Sequence, residues 1–426
     1  MNIKSLLLIA ASAVTVNAGA QTPGTWSTDT LKMGAGYASD VYYSLHTGTV
    51  KTEAANNWHI GFVGGIDRSV SVINNPVSGG VQVASMNMSA AAKFGTNLDA
   101  DTAGKLANQL YNDITTWENG AFNMNASGFP SYGWGNYDMT THNITGDSIY
   151  LVKVGAAAYQ LWIETFVSAG TTMGWTFHIA NIDGTNKKDK TELVAPTYAG
   201  KMFMYYDITN DMFRDREPAN AAWDFMFTRY MDEVAPGMMY PVTGVLNNQK
   251  LNVAVVTPVN PDTTMFHNQD MDTLNNSIGY AWKSFNGTSY DVDTNTTYFV
   301  RTKGGALYQF YWVYATGSGS GTFALNKRII EFPTAVNEVV AATETMSIYP
   351  NPAANDANII INANRAKQAQ LFVSDMAGRT ILRSTVSLKD GLNALQVNTS
   401  AFAAGNYIIN VISGQNKMTQ KLNVQH

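Results

Sequence analysis

Methionine and histidine side chains stand close together at two points of the chain, in polar segments typical of loops. Both can bind the iron of a haem group axially, methionine through its sulfur and histidine through a ring nitrogen. A third point carries two adjacent methionines. The sequence therefore has six candidate iron ligands, which are Met265, His267, Met139, His142, Met238 and Met239.

Met265 and His267 are the first candidates in the second half of the chain, and Met139 with His142 are those in the first half. Residues i and i+2 of an extended segment point to one face. Met265 and His267 would therefore face one ligand together but would hardly occupy opposite sides of one iron. A six-coordinate iron would need a partner from another loop, for which Met238 or Met239 is available. The alternative is the ordinary role of methionine, which fills gaps in cores.

Other chemistry finds little support among the residue types. The chain has no cysteine, which excludes disulfides, thiolate metal sites and cysteine nucleophiles. It contains no nucleophile elbow, phosphate-binding loop or paired-histidine zinc motif. A net charge of −5 gives no basic footprint, so nucleic acid is not an expected partner. We expect a binding protein and not an enzyme.

The elements that would position the candidate loops follow a pattern that the chain uses twice. A tryptophan opens an apolar strand in each half, and a proline turn follows both at the same distance. A second tryptophan precedes a tyrosine-led strand at the same distance in both halves. The spacing predicts that three pairs overlay in two copies of one plan, namely Trp58 with Trp223, Pro76 with Pro241, and Trp134 with Trp282.

The remaining pattern predicts an all-β protein. Charged residues make up only 14% of the chain, and glycine and β-forming side chains are abundant. One short helix is expected within residues 98–117, because Leu106, Leu110 and Ile114 recur at helical spacing. The first copy carries an extra stretch at residues 94–132, which we expect on the surface. Four aromatic residues in or just after this stretch suggest a sugar-binding platform or, alternatively, ordinary core. They are Trp117, Tyr132, Trp134 and Tyr137.

The first twenty residues read as a signal peptide. A short basic start precedes an apolar run, and Ala18-Gly19-Ala20 fits the rule for cleavage before Gln21. The apolar run is too short to span a bilayer. No later stretch is long enough to do so, which predicts no transmembrane segment in the mature chain.

Residues 346–426 form a third unit with short strands separated by glycine turns, the spacing of a small Ig-like β-sandwich. This unit resembles the type A sorting domain of the Bacteroidetes type IX secretion system. The resemblance rests on Tyr349-Pro350-Asn351-Pro352, on the segment 375–379, on the strand at 392–397 and on the segment 404–407. It implies export through the type IX machinery, removal of the domain, and release or attachment at the outer-membrane surface.

The repeated region resembles the HmuY family of haem-binding surface proteins. The likeness runs through residues 40–50 and 58–62 in the first copy and through 223–227 and 298–302 in the second. The family pattern has an aspartate after the tryptophan, which the second copy keeps as Asp224 and the first replaces with His59. The resemblance implies a haemophore-like protein with haem or porphyrin as its partner.

The predicted organisation is two tandem related β-rich domains followed by the small sandwich. The segments are a signal peptide at 1–20, copy one at 21–195, copy two at 196–333, a linker at 334–345 and the sorting unit at 346–426. The predicted function is a secreted or cell-surface haem-binding protein. The alternative is a surface module that binds a glycan or another protein without haem.

Overall fold

The chain forms two compact units, residues 1–335 and residues 336–426. Almost all regular structure is antiparallel strand, which confirms the all-β prediction. The predicted signal peptide and residues 334–344 of the predicted linker lie outside the described residues. The computed structural model describes residues 24–64, 70–168, 172–267, 270–331, 345–363, 367–376, 378–389, 391–413 and 416–425.

The first unit is built from antiparallel strands connected by turns and loops. The first half contains β1 (Ser27–Lys32), β2 (Ser39–Ser44), β3 (Gly48–Ala54), β4 (Ile60–Val63), β5 (Val72–Asn74), β6 (Val81–Ser89), β7 (Asn136–Tyr137), β8 (Ile144–Thr145), β9 (Ser148–Val154), β10 (Ala157–Val167) and β11 (Gly174–Asn181). The second half contains β12 (Lys188–Leu193), β13 (Phe203–Asp207), β14 (Met212–Arg214), β15 (Phe225–Ala235), β16 (Met238–Asn247), β17 (Asn252–Val256), β18 (Lys283–Phe285), β19 (Tyr290–Val292), β20 (Thr297–Arg301), β21 (Leu307–Ala315) and β22 (Thr322–Glu331).

These strands form two β-sandwiches. Sandwich one packs the sheet β14-β13-β4-β5 against the sheet β12-β11-β10-β9-β6, and the hairpin β7–β8 extends the second sheet beside β10. Sandwich two packs the sheet β1-β22-β21-β20-β17 against the sheet β16-β15-β2-β3. The outer face of the sheet containing β15 also packs into the core of sandwich one, through Tyr42, Met226 and Leu246. The two sandwiches therefore make one unit.

The structure differs from the predicted division into tandem domains at residues 195 and 196. Sandwich one takes β13 and β14 from beyond that boundary, because β13 pairs with β4. Sandwich two takes β2 and β3 from the start of the chain, because β2 pairs with β15. Predicted copy one thus contributes β1 and the hairpin β2–β3 to sandwich two, and predicted copy two contributes the hairpin β13–β14 to sandwich one. Sheet hydrogen bonds join segments far apart in sequence, so a boundary drawn from repeat spacing does not divide this fold.

Strand register shows that the two exchanged hairpins occupy equivalent places. The residue two positions after each tryptophan pairs with the second tyrosine of the exchanged hairpin, as Ile60 does with Tyr206 and Phe225 with Tyr43. Each tryptophan also meets the first tyrosine edge-on. The ring centroids are 4.8 Å apart for Trp58 and Tyr205 and 5.1 Å apart for Trp223 and Tyr42. The predicted overlay of Trp58 with Trp223 is confirmed.

The residue after each tryptophan accepts a hydrogen bond from the exchanged hairpin. The N–H of Leu45 donates to the Asp224 carboxylate at 2.7 Å, and the N–H of Ile208 donates to His59 Nδ1 at 3.0 Å. His59 therefore does in the first copy what Asp224 does in the second. Burial lowers the pKa of His59, against the opposing effect of Asp207 3.4 Å away, and favours the neutral ring that can accept this bond.

The predicted overlay of Pro76 with Pro241 is wrong. Ile60 lies opposite Asn74, whereas Phe225 lies opposite Asn247, so the asparagines are the equivalent residues. Pro76 follows β5, while Pro241 lies inside β16, because the hairpin β15–β16 is much longer than β4–β5. In both copies the next asparagine donates its side-chain amide to the tryptophan carbonyl, from Asn75 to Trp58 at 3.1 Å and from Asn248 to Trp223 at 2.7 Å.

The second tryptophan pair lies in equivalent cores, as predicted. Trp134 is 1% exposed and packs on Trp175 of β11 at 5.1 Å. Trp282 is 2% exposed and packs on Phe323 of β22 at 5.6 Å. Each tryptophan thus anchors the short hairpin that follows it against its own sandwich.

A buried charged cluster joins the two sandwiches. Arg216 is 1% exposed and donates to Asp40 at 2.7 Å and to the Tyr42 hydroxyl at 3.3 Å. The carboxylate of Asp40 also accepts from the Thr228 hydroxyl at 2.7 Å. Glu217 accepts from the backbone N–H groups of Met202 and Phe203 at the start of the exchanged strand β13, and burial raises its pKa to about 7. A buried arginine without its carboxylate would cost several kcal/mol, so this cluster fixes how the hairpins seat.

The predicted helix at 98–117 is wrong. Only two short 3₁₀ turns form there, Asp99–Thr102 and Lys105–Asn108, separated by Gly104 at φ 72°. Leu110 pairs as an isolated bridge with Val83 of β6, so the segment follows a sheet edge. The short α-helix α1 lies earlier, at Ala90–Lys93. Among the described residues, further 3₁₀ turns lie at Ala35–Tyr37, Ala121–Asn123 and Asn220–Ala222.

The extra stretch at 94–132 is not confined to the surface. Phe122 is fully buried in the core of sandwich one, and Asn123 accepts from the N–H of Val72 at 2.9 Å. Trp117 packs on Phe203 and donates to the carbonyl of Asn247 at 2.8 Å. The proposed sugar platform is also wrong. Trp134 is buried, and the other three rings are half-buried against the core, namely Trp117, Tyr132 and Tyr137.

The second unit is a small β-sandwich, as predicted. Its sheets have the orders β23-β24-β27 and β26-β25-β28-β29. Ile359, Val373 and Ile409 lie fully buried between them. Its strands are β23 (Thr345–Tyr349), β24 (Asp356–Ala363), β25 (Lys367–Asp375), β26 (Thr380–Leu388), β27 (Gly391–Asn398), β28 (Gly405–Ser413) and β29 (Asn416–Val424).

Candidate ligand-binding cleft

A cleft of about 780 Å³ opens beside sandwich two. We call it the tyrosine cleft, because four of the residues that line it are Tyr37, Tyr240, Tyr280 and Tyr290. Its size is that of a small-molecule site. The other lining residues are Gly36, Arg229, Val234, Met238, Pro241, Val242, Thr243, Lys283 and Ser318.

The long hairpin β15–β16 forms one wall of the tyrosine cleft. Gly237 has φ 73° at the turn, and its N–H donates to the Glu233 carboxylate at 2.6 Å. These contacts hold the hairpin tip in one conformation. Met238 and Tyr240 follow the turn and are each 53% exposed. Exposed side chains of this size on an ordered hairpin present apolar surface that a ligand could cover.

The short hairpin β18–β19 forms the opposite wall. Lys283 begins it and Tyr290 lies on its second strand, opposite Phe285. The ring of Phe285 is 61% exposed and packs on Tyr290 with centroids 5.4 Å apart. The turn is held by Asn286, whose side-chain carbonyl oxygen accepts from the N–H of Ser289 at 2.9 Å. Both walls are thus hairpins that carry aromatic side chains.

Lys283 places a positive charge at the base of this wall. Its Nζ lies 4.4 Å from the centroid of the Trp282 ring and donates to the Thr243 carbonyl at 2.5 Å. Burial lowers the pKa of this ammonium group to about 8. The group is therefore still largely protonated at neutral pH, in surroundings that an anion would improve.

Arg229 of β15 adds a second positive charge. Its Nε is buried and makes no hydrogen bond within the described part of the chain. Arg229 lowers the pKa of the nearby Tyr37 hydroxyl, but burial and Tyr290 outweigh it and raise that pKa to about 12. The Tyr37 hydroxyl is therefore neutral at physiological pH, and it is buried behind the lining of the cleft. Neither Arg229 nor Lys283 enters an ion pair among the described residues.

The two positions of sandwich one that are equivalent to Arg229 and Lys283 carry no charged side chain. Continuing the register of β4 places Gly64 where sandwich two has Arg229, and Gly135 follows Trp134 as Lys283 follows Trp282. A side chain at Gly64 would meet the Lys201 carbonyl at 2.6 Å. The hairpin β7–β8 also joins its sheet through β10, whereas β18–β19 forms a separate two-stranded sheet. The shared fold therefore does not require the two cations.

The six predicted iron ligands lie in three separate places. Met139 and His142 lie in the turn between β7 and β8, where His142 Nδ1 is 2.6 Å from the Tyr137 hydroxyl. Met265 and His267 lie in the long connection after β17, on an exposed loop whose Phe266 packs against Phe299. Met238 and Met239 lie on the hairpin β15–β16. Of the six, the lining of the tyrosine cleft includes Met238.

Sequence reasoning missed the residues that line the cleft. Arg229, Lys283 and the four tyrosines were not singled out, because their segments are far apart along the chain. A signal was present in the repeat itself. Residues that differ between otherwise equivalent positions, such as Lys283 and Gly135, mark what one half adds to the shared fold.

Two other surface features are less developed. A hollow of about 550 Å³ lies beside Tyr311 and is lined largely by the loop at 258–262. On the outer face of sandwich one, His178 stacks on Trp162 at 4.5 Å and contacts Glu164 and Asp189 at 2.9 and 2.6 Å. The described residues contain no group of three or more acidic or histidine side chains placed to hold a metal ion.

Comparison with known proteins identifies the C-terminal unit. Residues 347–425 match the family described as the secretion system C-terminal sorting domain. The unit is therefore a sorting domain of the type IX secretion system, as the sequence predicted. The protein belongs to the class of exported Bacteroidetes proteins that are secreted or attached to the outer-membrane surface. Within the described residues no helix is long and apolar enough to cross a membrane.

No curated protein matches the chain. Alignment with latent PorU of Porphyromonas gingivalis gives 10% identity over 66% of this chain and 26% of that one, with a TM-score of 0.18. Alignment with a polysaccharide lyase gives 9% identity over 68% of this chain and 46% of the lyase, with a TM-score of 0.15. Alignment with the BSP domain of a biofilm-associated protein gives 10% identity over 98% of this chain and 84% of that one, with a TM-score of 0.18. These scores support no argument about fold or function.

Proposed function

We propose that the protein is an exported binding protein that holds a carbohydrate in the tyrosine cleft. The observation that carries this proposal is the cleft itself, with Tyr240 and Tyr290 on two ordered hairpins and Tyr37 and Tyr280 on the segments beside them. Tyrosine offers an apolar ring face together with a polar hydroxyl. A pyranose ring has the matching surface, since its C–H faces pack on aromatic rings and its hydroxyls form hydrogen bonds. We propose binding and not catalysis as the role of this cleft.

A binding experiment on glycans tests this proposal. The recombinant chain from Gln21 onward is applied to an array of neutral, carboxylated and sulfated glycans. Tyr240→Ala removes a wall of the cleft and should reduce the signal of every hit at least about tenfold, the loss expected when an exposed aromatic contact is central to binding. Tyr314→Ala is the matched control, because Tyr314 is 52% exposed, close to the 53% of Tyr240, but lies on β21 outside the cleft lining. An array without hits, or hits indifferent to Tyr240→Ala, would refute the proposal.

Haem is the second candidate, and one observation favours it. Met238 lines the tyrosine cleft, where its sulfur would face a flat ligand. The other predicted ligands do not converge there, so the six residues do not fit together as one iron site. Titration with hemin tests this candidate independently of glycans. A sharpened and shifted Soret band that is lost in Met238→Ala would support it, and the unchanged spectrum of free hemin would exclude it.

A further inference from the structure

We infer that the ligand of the tyrosine cleft is an acidic carbohydrate, one that carries carboxylate or sulfate groups. This inference deepens the proposed function and rests on it. The two cations of the cleft, Arg229 and Lys283, supply the argument. They lie on opposite walls, on β15 and β18, and both face the same cavity.

Both charges are costly to bury, and neither forms an ion pair among the described residues. A lysine loses hydration when it is buried, and a carboxylate normally compensates. Lys283 has only a carbonyl oxygen and the faces of aromatic rings around it, among them Trp282 at 4.4 Å and Phe323 at 5.8 Å. Arg229 retains a buried donor, Nε, without an acceptor among the described residues. Both groups are therefore ready to bind an anion.

The nearby acidic residues are engaged or turned away. Glu233 accepts from the Gly237 N–H at the hairpin turn. Asp232 is three residues from Arg229 and is therefore turned away from it, but it shares a strand face with Tyr240, and burial together with Asp232 raises the pKa of Tyr280. Asp291 accepts from the Asn286 amide at 3.0 Å. Arg229 and Lys283 therefore form no ion pair with these three acidic residues, and an anion placed between the two cations would meet both positive charges.

Sandwich one supplies an internal comparison. Its equivalent positions are the glycines Gly64 and Gly135. The positive charges at these two positions are thus specific to sandwich two. A neutral sugar would need the tyrosines and the hydroxyl groups but neither charge. An acidic sugar needs both, with ring faces on the tyrosines and its anionic groups on Arg229 and Lys283.

A pair of probes that differ only in charge tests the inference. Binding of oligogalacturonate and of its fully methyl-esterified form is measured by titration calorimetry, with dextran sulfate and dextran as a second pair. We expect at least one acidic member to bind about tenfold or more tightly than its neutral partner, with affinity falling as salt increases. Lys283→Met and Arg229→Gln should each remove this preference. Lys93→Met, which changes an exposed lysine of sandwich one, should leave it intact.

The outcomes separate the inference from the proposed function. Array hits confined to neutral glycans, still sensitive to Tyr240→Ala, would overturn the inference and leave carbohydrate binding standing. An array without any hit would overturn both. A charge preference that survives both Lys283→Met and Arg229→Gln in folded variants would also overturn the inference, because the charges would then lie elsewhere.

Discussion

Single residues explain where the two halves of the first unit agree and where they differ. His59 and Asp224 have different chemistry and the same task, since each accepts a backbone N–H from an exchanged hairpin. Lys283 and Gly135 hold equivalent positions and have different tasks. A residue that differs between the two halves can therefore either keep the role of its counterpart or add a new one, and its hydrogen bonds show which of the two applies.

His59 should make stability depend on pH. Its folded pKa lies below the unfolded value, so its contribution is present above the unfolded pKa and is lost as pH falls through the folded pKa. His59→Ala leaves the Ile208 N–H without an acceptor, which should cost about 1–3 kcal/mol at pH 7. His59→Asn keeps an acceptor and removes the titration.

Denaturant unfolding of the wild type and both variants between pH 5 and 8 measures this. The difference in stability between wild type and His59→Asn should shrink or reverse toward pH 5. A constant difference across this pH range would contradict the assignment of the pH dependence to His59. The separate effect of Glu217 is the same in the wild type and the variant, so it cancels in the difference.

Lys283 should make ligand binding depend on pH in the alkaline range, whereas His59 affects stability in the acidic range. Its ammonium group is charged below its pKa of about 8 and becomes neutral above it. Affinity for an acidic glycan should therefore be highest below pH 8 and fall as pH rises through that value. Titration calorimetry from pH 6 to 9.5 checks the decline. Lys283→Met should bind weakly and without this decline, and an unchanged profile in that variant would exclude Lys283 as its cause.

At the scale of elements, the exchanged hairpins tie the two sandwiches together. β2–β3 and β13–β14 carry equivalent tyrosines that pack on Trp223 and Trp58. Each contact joins a strand of one predicted copy to the core completed by the other. We therefore expect the first unit to unfold as a whole and not one sandwich at a time.

Trp58→Ala and Trp223→Ala test this coupling. Each removes a buried indole and should cost about 3–5 kcal/mol, the usual range for such a truncation. Both variants should shift one cooperative transition of the first unit, followed by hydrogen exchange in strands of both sandwiches. Destabilisation confined to the strands of one sandwich would contradict the coupling.

The sequence predicted strands, tryptophan anchors and the sorting unit, because these follow from local patterns. Trp58 and Trp223 overlay since a strand that slipped by one residue would turn its apolar face outward. The exchange of hairpins could not be predicted from local patterns, because β2 has the same alternation of apolar and polar side chains whether it pairs with β4 or with β15. Leu106, Leu110 and Ile114 had helical spacing but lie along a sheet edge, where tertiary contacts replaced the helix. The candidate cleft was missed for a similar reason, since Tyr37 and Tyr290 meet only in the folded chain.

At the scale of the whole molecule, the sorting domain determines the destination. The mature chain should begin at Gln21 and should lose the C-terminal unit within the segment at 334–345, because type IX sorting domains are removed on export. Mass spectrometry of the surface and medium fractions of the producing bacterium measures both ends. A stable full-length species that still carries residues 346–426 at the surface would contradict removal of the domain.

The central claim is that ligand binds in the tyrosine cleft of sandwich two. Oxidative footprinting tests it directly, because one exposed methionine lies in the tyrosine cleft and another lies in sandwich one. Met238, 53% exposed, lines the cleft, while Met139, 73% exposed, lies in the hairpin β7–β8 of sandwich one. Oligogalacturonate should slow the oxidation of Met238 severalfold and leave the rate at Met139 unchanged. Saturating ligand that leaves Met238 unprotected, or that protects Met139 instead, would contradict the account.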